Sequence, residues 1–362
     1  MAMEPYFAGR FYNPSATYLA AKYVSEDVAK ARAEVANLLG ARQSEIIFTA
    51  GGTEANNLAV HGVMRAYPGS NVVLSAIEHD SILEPAKGYK QKFCRVARDG
   101  RIDVADLEAK INDRTSLVSI IYANNEIGTI QPIRDIAKII KKHRQDREKR
   151  GITLPLHFHT DACQAAAYLD LHVGRLGVDM MTLNGGKIYG PKQSGVLYVK
   201  TGTNMQPQIL GGGQEYGLRS GTENVPAIIG LSKALVLAQK AREKEASRLR
   251  ELQTLFIGTL SDKLPSATIN GSTKHRLPNN IHITLPGFDN ERLMMQLDKA
   301  GIMAAVGSAC SASNEEPSHV LKAIGLSDKS AQSSLRFTMG RATTKTDIHY
   351  TLNELVKIVN NQ

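Results

Sequence analysis

Lys187 lies between an apolar run and a Gly-Pro turn in VDMMTLNGGKIYGPK, and Asp161, twenty-six residues upstream, ends a second apolar run in LPLHFHTDACQ. A lysine in that position is expected to be shielded from solvent, and burial lowers an amine's pKa toward reactivity. A carboxylate that closes an apolar strand carries a desolvation cost unless a cationic partner offsets it; its other use is to cap the next helix. An amine that condenses with an aldehyde, paired with a carboxylate that keeps a ring nitrogen protonated, points to pyridoxal phosphate chemistry, with Lys187 as the Schiff-base lysine. Cys310 in VGSACSASNEEPSHV sits among small residues with no apolar periodicity, the setting of an exposed loop thiol that reaches a substrate. Cys94 in KFCRV and Cys163 beside Asp161 read instead as structural.

Further candidates follow other apolar runs. EIIFTAGGTEANNLAVHGVMR reads as strand, glycine turn and helix, so Gly51, Gly52 and Thr53 lie where free backbone N–H groups and the helix dipole favour a phosphate. Thr53 is also a candidate N-cap. His79, ending NVVLSAIEH, is placed to stack on a flat heteroaromatic ring and exchange protons with substrate, or to be a satisfied, partly buried histidine. Asn125 in YANNEIGT and Gln164 in TDACQAA are placed to hydrogen-bond a ring oxygen or to organise their loops. Arg336 alternates with apolar neighbours in SSLRFTMGR, where a guanidinium aimed into a cleft would hold a carboxylate in a two-bonded fork, the alternative being an exposed strand arginine. Arg219 and Thr222 in GGGQEYGLRSGTEN add donors suited to an anion, in a loop that could serve a neighbouring subunit.

These residues need a scaffold that brings strand ends together. The runs EIIFTA, NVVLSAI, SLVSIIYA, LPLHFHT, VDMMTLN and GVLYVK alternate with amphipathic stretches, the rhythm of a mostly parallel α/β sheet whose ligands bind outside the carboxyl ends of its strands. After about residue 225 a long helix leads into an α+β pattern, with strands at NNIHITL and SSLRFTMG and helices at NERLMMQLDKAG and HYTLNELVKIVNN. The expected division is a large cofactor-binding domain over 13–235 and a smaller C-terminal domain over 236–362, with residues 1–12 packing on the latter. At 362 residues, 42% hydrophobic and 22% charged, the composition is that of a soluble globular enzyme, and no apolar stretch approaches the roughly 18 residues that span a bilayer. The start, MAMEPYFAGRFYNPS, lacks the pattern of a secretory signal, and three cysteines without CxxC spacing form neither a disulfide framework nor a metal site, so free thiols in the cytoplasm are expected. The formal charge of +9 is densest in KKHRQDREKR, which reads as the polar end of a surface helix rather than as a nucleic-acid patch.

Nine segments in this order, NPSA, FTAGGTEANNLA, IEHDSI, NNEIGTIQPI, HTDACQAA, KIYGPK, LRSGTEN, GSACSAS and LRFTMGR, resemble the cysteine desulfurases of the NifS and IscS type, within the class V aminotransferase group of fold-type I pyridoxal phosphate enzymes. The resemblance implies that Lys187 binds the cofactor covalently, Asp161 pairs the pyridine nitrogen, and His79 stacks on the ring and shuttles protons. Asn125 and Gln164 would contact the phenolic oxygen, and Gly52 and Thr53 the phosphate, joined by Thr222 from the second subunit of a homodimer. Arg336 would anchor the carboxylate of L-cysteine, with Asn125 beside it. Cys310 would take the substrate's sulfur as a persulfide, releasing alanine, and pass it to an acceptor such as an iron–sulfur scaffold or a tRNA-thiolation enzyme.

The sequence departs from the family pattern in two places. Where relatives carry a serine and a histidine before the lysine, this chain has Asn184 and Gly186, so an amide replaces a hydroxyl phosphate ligand and an imidazole is lost. Relatives also open with a strand and a motif resembling YLDNAATTP, whereas this chain begins near MEPYFAGRFYNPS, and about twenty residues of active-site wall are expected to be missing. Rival readings are a selenocysteine lyase or related β-eliminating enzyme, and a degenerate, non-catalytic partner of another sulfur-transfer protein.

Overall fold

All six β-branched runs become strands of one sheet in the computed structural model, which describes residues 1–307 and 317–361. β1 (Ile46–Thr49), β2 (Asn71–Ser75), β4 (Thr115–Ser119), β5 (His157–Asp161), β6 (Met180–Asn184) and β7 (Gly195–Val199) are joined by an edge strand, β3 (Lys90–Cys94), in the order β1-β7-β6-β5-β4-β2-β3. Pairing is parallel from β3 through β6, and β7 runs antiparallel to both β6 and β1. The inner strands are buried along their length, which is why each reads as a continuous apolar run rather than an alternating one.

The helices of this unit are α1 (Leu19–Leu39), α2 (Gly52–Ala66), α3 (Asp80–Ala86), α4 (Val104–Lys110), α5 (Ile133–Lys149), α6 (Val173–Leu176) and the first part of α7 (Val225–Lys263). α2 lays Ala55, Leu58, Ala59 and Val63 on Val72, Leu74, Leu117, Met180 and Leu197 of the sheet. Each such buried Leu or Val contributes about 1.5–3 kcal/mol, so the start of this helix is held firmly at the carboxyl edge of the sheet. The basic block at the end of α5 is used within the fold: Lys142 pairs with Glu108 at 2.7 Å, Arg150 with Asp113 at 2.7 Å, Arg144 with Asp179, and Arg147 donates to backbone carbonyls. No described helix is long and apolar enough to cross a membrane.

The chain separates into two compact units, the first Met1–Cys94, Val104–Tyr122 and Pro132–Ala241, the second Arg95–Asp103, Ala123–Gln131 and Arg242–Gln362. The second contains β8 (Thr268–Ile269), β9 (Asn280–Thr284) and β10 (Ser334–Thr338) in the antiparallel order β10-β9-β8, with α8 (Asn290–Lys299), α9 (His319–Ala323), α10 (Asp328–Ala331) and α11 (Lys345–Asn360). Two expectations are corrected here. Residues 1–12 belong to the first unit, where Tyr6 and Arg10 both donate to Asp27 of α1. Two excursions of the chain, 95–103 and 123–131, belong to the second unit although their flanks lie in the first. Polar contacts hold the second one: Ile130 N donates to the carbonyl of His275, Asn280 Nδ2 to that of Glu126, and Thr129 pairs with Arg276.

Candidate active site

In the first unit β1, β2, β5 and β6 all end at the same edge, and the residues that follow them build the site. Asp161 closes β5 and is 5% exposed. Its carboxylate accepts from Asn56 Nδ2 at 2.7 Å and from the backbone N–H of Cys163 at 2.9 Å, and it makes no ion pair among the described residues. A buried anion held only by neutral donors can accept a cationic group in the adjoining space, and a protonated pyridine nitrogen is such a group.

The phosphate candidates are positioned by backbone geometry. Gly51, at φ 149°, turns the chain from β1 into α2, a conformation that favours glycine. Gly51, Gly52, Thr53 and Asn184 line one cavity. A Cβ on Gly52 would stand 2.8 Å from Cys163 Sγ and 3.3 Å from the Nδ2 of Asn184, so the absent side chain keeps the helix N-terminus open. Asn184 Oδ1 accepts from the N–H of Gly186 at 3.0 Å, which directs the amide NH2 toward the glycine turn. The amide thus offers donors on the Gly52 side of the cavity.

Lys187 ends the short 3-10 turn Gly185–Lys187 that follows β6. The expectation of burial fails, because Gly185 and Ile188 occupy the inward positions of this turn and Lys187 is exposed. Its charge is still felt at the Cys163 thiol, which burial and the Asp161 carboxylate push well above the usual thiol range. Cys163 is therefore part of the site wall, beside Gly52 and Asp161, and in a protonated, unreactive form. Cys94 is fully buried.

His79 is the N-cap of α3 and half-buried; its Nδ1 accepts from the Ser81 N–H at 3.1 Å and lies 2.8 Å from Ser81 Oγ. Ser81 Oγ in turn accepts from Asn56 Nδ2 at 2.8 Å. Glu78, preceding His79, is fully buried, and burial pushes its carboxyl up to about 8, with Asp161 adding to the rise. Gln164 is half-buried in the turn after β5. Thr222 is exposed and lines a different cavity from Gly52 and Thr53, with Thr49, Ser194 and Arg219. Its loop is tied down by Glu215, which accepts from both Nη atoms of buried Arg32, at 2.6 and 2.7 Å, and from the N–H of Phe48.

Asn125 and Arg336 belong to the second unit, where they meet: Arg336 Nη1 donates to the carbonyl of Asn125 at 2.9 Å. Arg336 also pairs through its backbone with Ala305. Ser318 caps α9 and donates to Glu126 at 2.6 Å. Cys310 lies outside the described residues.

Sequence reasoning assigned no role to Asn56, Ser81, Glu78 or the Arg32–Glu215 pair. The available signal for Asn56 was a polar residue on the apolar face of α2, and for Ser81 a hydroxyl two residues after a histidine at a helix start.

Comparison with known proteins gives one answer. Residues 1–351 match the family described as Aminotransferase class-V. A cysteine desulfurase IscS of Dictyoglomus turgidum is 40% identical over 99% of this chain and 90% of its own length, and cysteine desulfurase IscS 1 of Archaeoglobus fulgidus is 40% identical over 99% and 92%. Among solved structures, a NifS-like protein superposes with a TM-score of 0.90 at 30% identity, covering 100% of this chain and 95% of the other. A structure of SspA in complex with cysteine aligns with a TM-score of 0.80 at 33% identity over 93% of both chains.

Proposed function

The chain belongs to the class V aminotransferase family, and from that membership we propose a pyridoxal-phosphate-dependent cysteine desulfurase that converts L-cysteine to L-alanine and keeps the sulfur as a persulfide on Cys310. The observation that carries the cofactor assignment is the Asp161 carboxylate, buried at a strand end with neutral donors and no cation of its own. Lys187 would hold the cofactor covalently; Asp161 its ring nitrogen; Gly52, Thr53 and Asn184 its phosphate; Gln164 and Asn125 its ring oxygen. When bound, the cofactor supplies an electron sink for the substrate's α-carbon.

The chain's own residues have distinct tasks in this reading. Arg336 grips the substrate carboxylate through its planar fork, and Asn125 supports it from the neighbouring backbone. His79 covers the ring face and holds a proton at Nε2. The Cys310 thiol forms a new S–S bond as the substrate's C–S bond breaks, and proton transfer to the carbon fragment completes alanine. A homodimer would complete the phosphate site: Thr222 lines a different cavity of its own chain from Gly52 and Thr53, and its loop exposes Leu210 and Tyr216 for a second copy to cover. The persulfide then passes to an acceptor for iron–sulfur assembly or tRNA thiolation, a role suited to a reducing compartment such as the cytoplasm.

An absorbance spectrum after incubation with pyridoxal phosphate tests the assignment: a visible band is expected, lost in Lys187→Ala. Alanine release from L-cysteine is expected to fall to background in Cys310→Ala. A colourless protein overturns the cofactor reading, and full cysteine turnover in Cys310→Ala overturns the persulfide reading.

A further inference from the structure

We propose that Asn56 and Ser81 are positioning residues that link Asp161 to His79 and fix the imidazole in the tautomer with its proton on Nε2. The inference rests on the desulfurase reading for its purpose, though not for its geometry. Asp161, as a carboxylate, only accepts, so the Asn56 amide must turn its NH2 toward it. The second hydrogen of that NH2 goes to Ser81 Oγ at 2.8 Å. Ser81 Oγ already accepts there, so its own hydrogen is free to go to His79 Nδ1, 2.8 Å away. The Ser81 backbone N–H, at 3.1 Å, points at the same nitrogen.

Nδ1 thus faces two donors and must present its lone pair, which leaves the proton of the neutral ring on Nε2. Each link follows from the one before, beginning at the carboxylate. Asn56 is 1% exposed and Ser81 7% exposed, so water does not compete freely for these bonds. Replacing the serine hydroxyl by hydrogen removes one donor from Nδ1 and leaves one of the two Asn56 amide hydrogens without an acceptor, the other still bonded to Asp161. The ring then keeps only the backbone bond and is free to rotate and to exchange tautomers.

The test is nitrogen NMR of the imidazoles in cofactor-free protein labelled with 15N-histidine, with His79 assigned through His79→Gln. Wild type is expected to show His79 with unprotonated Nδ1 and protonated Nε2. Ser81→Ala is expected to show tautomer averaging at His79 and, with cofactor bound, about a tenfold loss in kcat for L-cysteine, while Ser81→Thr restores both. Asn56→Leu, similar in volume, is expected to reproduce the Ser81→Ala pattern. A protonated Nδ1 in wild type, or an unchanged His79 spectrum in both Ser81→Ala and Asn56→Leu, overturns the proposal. The spectrum of the cofactor-free protein separates this failure from that of the desulfurase reading, since an enzyme that binds no cofactor can still show the expected tautomer, and an active enzyme can lack it.

Discussion

Glu78 departs far from the ordinary behaviour of a carboxyl, and replacing it by glutamine gives a signal of known sign. Its side chain is fully buried, accepting from Ser75 Oγ and from the N–H of Ile121, and burial raises its carboxyl from 4.5 to about 8. The folded state therefore holds a proton that the unfolded chain releases above 4.5. The associated stability is complete below 4.5, declines as pH rises, and is lost on passing through about 8. With about 1.4 kcal/mol per pH unit, wild type loses about 2.5 kcal/mol between pH 6 and 8.5 from this group alone. In Glu78→Gln the amide oxygen keeps the bonds from Ser75 and Ile121, and nothing titrates. His157 and His159, held near 4 by burial, and His282, held near 3, act in the opposite direction, losing their contribution as pH falls below 6.5. They are common to both proteins and cancel in the comparison. Urea unfolding at pH 6, 7 and 8.5 should show the stability gap moving in favour of the glutamine variant by about 2.5 kcal/mol across the series. A gap independent of pH would mean that Glu78 is ionised in the fold across this range, and would refute the reasoning from its burial.

Gly52→Ala is expected to lower stability by about 1–3 kcal/mol and to weaken cofactor binding, because the new methyl would meet Cys163 Sγ. Cys163→Ala in the same chain should recover part of the loss in thermal melting, and a purely additive pair would show that the sulfur is not the obstacle. Arg336→Lys keeps the charge but not the planar fork, so the KM for L-cysteine should rise about ten- to a hundredfold in steady-state alanine release. An unchanged KM would remove Arg336 from the substrate carboxylate.

The sheet was legible because strands buried on both faces must be apolar throughout, and all six such runs were visible. β3 was not, because an edge strand needs no apolar run: Lys90–Cys94 buries only its last residue fully. Strand ends also pointed to the candidate residues, since ligands of such sheets bind there. The direction of a turn was a different matter. The segment before Lys187 fixes where the backbone goes, but only the inward fit of Gly185 and Ile188 decides that the lysine faces out. The placement of Asn125 was hidden for a similar reason. Its excursion is held by Asn280 and by Arg276, whose guanidinium is lowered to about 10 by burial and is bonded to the Ser272 carbonyl and the Asn280 side chain. Long-range polar contacts of that kind leave no period in the sequence.

Asn56 shows how such contacts can nonetheless be sought. On α2 it falls between Ala55 and Leu58 on the buried side of the helix, where an amide loses about 1–3 kcal/mol unless bonded. Helix propensity and periodicity both argue against asparagine there. A polar residue that persists on an apolar face must meet a buried partner, and near a strand end the partners on offer are the residues that do the chemistry. The sequence asks for a buried partner without naming it; the structure supplies Asp161, and the bonds lead on through Ser81 to His79.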